Sequence, residues 1–229
     1  MKRITIQTTS LETALGWFYF VFQLLFLGPA LVVINVFLPN PLSNTTLNIL
    51  LFIINFICVV TIFHKFLWKN LQNAIRAGYY TLKIAGLGFI LYYICSMLLS
   101  FLVYSLDPEF INANDDNVKQ MIRDNYTLMS ICTVLLVPVV EETLYRGLLF
   151  RSLYERNALL GVALSATIFS FIHIVGYIGS YDGLTLALGF LQYLPAGIFL
   201  AWSYVKTDSI WVPILIHIAV NQIGILAMR

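Results

Sequence analysis

Apolar residues run along this chain in long stretches, broken by short polar connectors. A helix that crosses a bilayer needs about 20 mostly apolar residues. Seven stretches meet that length: 14–38, 47–68, 83–105, 127–149, 158–178, 184–204 and 209–228. Pro39-Asn40-Pro41-Leu42-Ser43-Asn44 is an uncharged, turn-rich link, and Gly179-Ser180-Tyr181-Asp182-Gly183 is a short hairpin loop. Residues 106–126 carry Asp107, Glu109, Asp115, Asp116 and Asp124 and belong in water. The pattern predicts an all-α fold, a polytopic transmembrane bundle of about seven helices. It divides into an N-terminal three-helix region with the acidic loop (1–126) and a second helical bundle (127–229).

Composition agrees. The 229 residues are 60% hydrophobic and 10% charged, with a mean hydropathy of +0.86. That leaves no room for a sizeable soluble domain. A net charge of +2 is too small to suggest a nucleic-acid partner, so the bilayer is the surrounding the chain is built for. Cys58, Cys95 and Cys132 are far apart in apolar runs and read as small buried hydrophobes, not as a disulfide or metal set. Lys2 and Arg3 are followed by mostly polar residues before the run from Ala14 to Leu38. That run exceeds a signal-peptide core and lacks its cleavage pattern, so it reads as a retained transmembrane helix.

Basic residues set the orientation, since cytoplasmic loops carry the excess of Lys and Arg. Lys65, Lys69, Arg76 and Lys83 follow the second stretch; Arg146, Arg151 and Arg156 follow the acids of the fourth; Lys206 follows the sixth. The other side has Lys119 and Arg123 among five acids. The expectation is an integral, multi-pass protein with a cytoplasmic N-terminus and, for seven helices, an outside C-terminus. His64, beside Lys65, and Trp17, Trp68, Trp202 and Trp211 read as interfacial residues.

Against this apolar background a few polar groups stand out. An ionised carboxylate at bilayer depth costs at least about 2.5–3.5 kcal/mol, yet Glu141 and Glu142 are adjacent in the fourth stretch. Glu142 and Arg146 stand at i and i+4, on one helix face where they can pair. Pro138 removes the backbone bond to Val134 and should bend the helix near the acids. Phe169 and His173 repeat the i, i+4 spacing on the fifth stretch, and His217 and Asn221 on the seventh. At 1.5 Å per residue, Glu141 lies roughly 15 Å from Arg151, His217 roughly 14 Å from Asp208, and His173 roughly 26 Å from Arg156. For His173 to come level with the others, residues 157–163 must run along the interface before the helix dives.

These residue types suit hydrolysis. A carboxylate in a low-dielectric cavity serves as general base for water, and a second can balance charge with Arg146. His and Asn side chains are donors for a developing oxyanion. Glu141, His173 and His217 could instead hold zinc with a position open for water. The polar groups near the two imidazoles are few, and Glu142 is matched to Arg146, so a site without metal is favoured over the zinc alternative. A different class is a non-catalytic immunity or binding protein whose polar cavity holds a peptide or an ion. A transporter would more plausibly show repeated halves, and no repeat is visible.

Glu141-Glu142-x-x-x-Arg146, Phe169-x-x-x-His173 and His217-x-x-x-Asn221, in that order and each in an apolar stretch, resemble the three motifs of the CAAX protease and bacteriocin-processing (Abi) family. These integral membrane endopeptidases include the type II CAAX prenyl endopeptidases. The resemblance covers about residues 127–228. It implies a helix bundle with a conical cavity open to the cytoplasm. Glu141 with His173 would activate water, and His217 with Asn221 would stabilise the oxyanion. It also implies a membrane-associated or lipidated peptide or protein as substrate, processed in CAAX fashion or as bacteriocin or pheromone maturation, by a glutamate mechanism.

Overall fold

The structure, a computed structural model, describes residues 4–228; Lys2 and Arg3 lie outside them. The described residues form helices α1 (Ser10–Val36), α2 (Asn44–Ile62), α3 (His64–Ala77), α4 (Tyr79–Leu106), α5 (Ala113–Asp124), α6 (Tyr126–Tyr154), α7 (Ala158–Val175), α8 (Gly183–Thr207) and α9 (Trp211–Ala227). Six of them, α1, α2, α4, α6, α7 and α8, are long and apolar enough to cross a membrane, and α9 is a shorter apolar helix. The protein is an integral, multi-pass helical bundle, with the polytopic architecture that the hydropathy pattern predicts.

The polar connectors supply the caps. Thr9 accepts from Glu12 N–H while Glu12 accepts from Thr9 N–H, a reciprocal capping box at α1. Ser43, Asn112, Asn157 and Asp182 cap α2, α5, α7 and α8, each satisfying backbone donors that a helix start leaves open.

Two segments depart from the linear reading. The stretch 47–68 breaks at Phe63, and α3 continues as an amphipathic helix. Its Lys65, Lys69 and Arg76 are exposed while Phe66, Leu67 and Ala74 are buried. Hydropathy averaged over the break hid it, because the buried face of α3 extends the apolar run. Glu12, itself buried, accepts the Phe66 N–H at 2.8 Å, and Asn70 accepts the Ile210 N–H at 2.9 Å. The acidic connector also folds, with α5 occupying its second half.

Side-chain bonds define two ends of the bundle. At the basic end Thr5 N–H donates to Asp208 Oδ1 (2.9 Å), Asn73 to the Thr207 carbonyl (3.2 Å) and Arg151 Nη2 to Thr8 Oγ1 (2.7 Å). At the acidic end Thr45 donates to Asp124 (2.6 Å) and Asn117 to the Tyr177 hydroxyl (3.2 Å). Met228 packs near Met121 and Ile122 there. Successive long helices therefore alternate in direction, and the described termini lie at opposite ends.

The largest core cluster joins Tyr19, Phe20, Val59, Phe63 and Phe66 to Val140, Leu144, Leu148, Phe150, Phe169, Tyr204 and Ile214. Residues before and after position 126 thus share one core. Phe18, Phe26, Phe101 and Leu98 are exposed on outer helix faces, as a lipid-facing surface requires. At the α7–α8 crossing a Cβ on Gly197 would stand 2.5 Å from Ala166 Cα; only glycine permits that approach.

Candidate active site

Pro138 lacks the N–H that would bond to Val134. The chain absorbs the misfit by winding Cys132–Leu136 as a π-helix, and Glu142–Phe150 is π-wound as well. Such winding re-aims side chains and is frequent at functional sites. The two adjacent acids point about a quarter turn apart, so they enter different surroundings.

Glu142 faces inward. It and Arg146 are fully buried, and Arg146 Nη1 donates to Glu142 Oε1 at 2.8 Å. Arg146 Nη2 reaches the Ala196 carbonyl at 3.2 Å, and its guanidinium lies 4.1 Å from the centre of the Phe169 ring. His217 Nδ1 stands 2.9 Å from the same Glu142 oxygen. A carboxylate accepts, so Nδ1 carries the hydrogen and Nε2 is left to the other side of the ring. That Nε2 is 4.0 Å from Glu141 Oε2.

Glu141 faces a cavity of about 480 Å³, whose lining includes His173, His217, Asn221 and Phe169. Its Oε2 makes no hydrogen bond. His173 Nδ1 donates to the Phe169 carbonyl at 2.7 Å, which turns Nε2 away from its own helix. The His173 ring stacks on Tyr193, with centroids 4.2 Å apart. Asn221 donates one amide hydrogen to the Thr133 carbonyl at 2.8 Å, and a second remains. The structure brings Glu141, His173, His217 and Asn221 to one cavity and puts Glu142 and Arg146 beneath it.

His173 reaches the cavity without any interfacial run before α7. α7 is one continuous helix from Ala158, with no interfacial run over 157–163. Gly161 instead packs against Tyr154, where a Cβ would meet the backbone at 2.7 Å. His173 sits two residues from the end of α7 on the acidic side, and the cavity extends toward it. The count of roughly 26 Å from the basic end therefore describes its place, and the assumption that it had to come level with Glu141 does not hold.

The cavity also uses residues that the sequence reading missed: Asn112, Asn114, Asp115, Gln192, Tyr193 and the α4 face of Tyr93, Ser96 and Ser100. Asn114 donates to the Tyr193 hydroxyl (3.0 Å), which donates to Asp115 Oδ1 (3.2 Å). Enclosure in the cavity wall pushes the Asp115 carboxyl above its ordinary value, against the Tyr193 hydrogen bond and the nearby His173. Two signals were available: Gln192 inside an apolar stretch, and polar positions 93, 96 and 100 on one helical face. Among the described residues no three His, Cys, Asp or Glu side chains form a group that could hold a metal.

Glu, His and Asn side chains thus meet in one cavity from three different helices, α6, α7 and α9. Residues 123–223 match the family model described as type II CAAX prenyl endopeptidase Rce1-like. The chain is also 31% identical over 95 residues to "Putative membrane peptidase YdiL" of Bacillus subtilis (strain 168). That match covers 41% of this chain and 34% of the relative, so it spans about a third of the relative's length. No solved structure matches. The matched residues 123–223 include all three motifs, Glu141-Glu142-x-x-x-Arg146, Phe169-x-x-x-His173 and His217-x-x-x-Asn221, so over this part the chain is similar to the type II CAAX prenyl endopeptidases.

Proposed function

We propose that the protein is an intramembrane endopeptidase that hydrolyses a peptide bond of a membrane-associated or lipidated peptide. The observation that carries this reading is Glu141, which lines a polar cavity shared with His173 and Asn221 and stands 4.0 Å from His217 Nε2. Glu141 takes a proton from a water that attacks the carbonyl carbon, then returns it to the departing amine. His173, with its Nε2 free, holds that water from the other helix. His217 and Asn221 donate to the oxyanion from α9.

The reading takes no metal. Both imidazoles use Nδ1 on protein acceptors, and their nearest carboxylates are already engaged or form the base. The test uses the purified full chain in detergent with a membrane-peptide library, products being read by mass spectrometry. New termini that appear with wild type and not with Glu141→Ala are expected, and they persist in millimolar phenanthroline. Identical products from both proteins would sink the peptidase reading. Activity lost on chelation and restored by zinc would replace the glutamate mechanism with a metal one.

A further inference from the structure

We propose that the cavity opens to the extracytoplasmic side, so that the enzyme takes its peptide from outside the cytoplasmic leaflet. The proposal deepens the peptidase reading by saying where its substrate must be, and it rests on two independent observations.

The first is which end is open. From the central layer of Glu141, His217 and Leu200, the lining continues through Tyr193 and Ser100 to Asn112, Asp115 and Met228. Asn112 and Asp115 belong to the cap and first turn of α5, and Met228 follows α9; all are at the acidic end. In the other direction the path is shut. Below Glu141 lie Glu142, Arg146, Leu144 and Leu148, each at most 1% exposed, and below them Phe66, Phe150, Tyr204 and Ile210, all fully buried. A peptide has no way in through that packing without unmaking the core.

The second is the charge at the two ends. Lys65, Lys69, Arg76, Lys83, Arg156 and Lys206 are exposed at the closed end, whereas the open end carries Lys119 and Arg123 among its acids. Basic loops stay in the cytoplasm. The closed end is therefore cytoplasmic and the mouth lies on the opposite face. The family resemblance implies the reverse, a cavity open to the cytoplasm. A substrate tethered to the cytoplasmic leaflet by its C-terminus would meet the dry end; a translocated or secreted peptide segment would meet the mouth.

Labelling of single cysteines decides the matter without any need for turnover, so its failure is separable from failure of the peptidase reading. Cys58, Cys95 and Cys132 are first replaced by Ala or Ser. Ser100→Cys reports on the cavity wall, Asp116→Cys on the open end and Lys69→Cys on the closed end; Gln120→Cys is a second α5 position should Asp116→Cys fail to reach the membrane. Spheroplasts are treated with a membrane-impermeant sulfonated maleimide before and after permeabilisation. Asp116→Cys and Ser100→Cys are expected to label at least tenfold more than Lys69→Cys in sealed spheroplasts, with Lys69→Cys catching up on permeabilisation. Labelling of Lys69→Cys alone before permeabilisation overturns the orientation. Labelling of Asp116→Cys with Ser100→Cys silent, or reached only after permeabilisation, overturns the open mouth.

Discussion

Two neighbouring carboxylates occupy opposite kinds of environment. Glu142 is fully buried and accepts from both Arg146 and His217 on one oxygen, Oε1, while Glu141, 23% exposed at its side chain, borders the cavity. The dry region has paired charges in packed apolar surroundings, where removing one partner leaves the other uncompensated. The cavity region has open volume beside its acceptors and donors, which is what a reacting water and carbonyl require. Adjacent positions on one helix can therefore serve structure and chemistry separately, and His217 links them by touching both.

The sharpest way to break this comparison is Glu141→Gln. Gln keeps the shape but cannot take a proton, so cleavage should fall by about 10²–10⁴-fold while the thermal melt stays near wild type. Turnover within tenfold of wild type would remove Glu141 as the base.

Arg146→Ala acts on the dry side. Leaving Glu142 charged and short of a partner should cost roughly 3–5 kcal/mol in a detergent melt. Adding Glu142→Gln should return part of that loss, since the stranded charge is gone. A double variant no more stable than Arg146→Ala alone would end the pairing account.

A gentler probe of the same region is Gly147→Ala. The new Cβ would come within 2.9 Å of Phe66 Cε1, and overpacking of this kind typically costs about 1–3 kcal/mol. Phe66→Leu in the same chain should recover stability if the clash is the cause; equal melts for single and double variants would deny it.

Tyr193→Phe should have the smallest effect. It keeps the stack under His173 but removes the hydroxyl that bonds Asn114 and Asp115. One such bond contributes roughly 1 kcal/mol, so a change of a few-fold in cleavage and a slightly lower melt are expected. A loss as large as that of Glu141→Gln would mean that the acidic helix does more than frame the cavity.

Much of this was legible along the chain. Long apolar runs and capped polar connectors announced the helices, because burial in lipid and satisfaction of helix ends are local demands. The i, i+4 spacings put Glu142 with Arg146 and His217 with Asn221 on shared faces, since helix geometry is repeated at every turn. Packing decided the rest. That α3 breaks from α2 at Phe63 depends on distant partners: Glu12 accepts the Phe66 N–H across 54 residues, and Asn70 of α3 accepts the Ile210 N–H across 140. Which acid is buried depends on the winding around Pro138, and His217 meets Glu142 only because α9 crosses α6. The acidic segment, read from composition as a solvated connector, becomes a cavity wall through contacts with α8 some 80 residues on. Local sequence specifies what each helix is, but a cavity is the space left between helices, and only their mutual packing determines its residues and the end at which it opens.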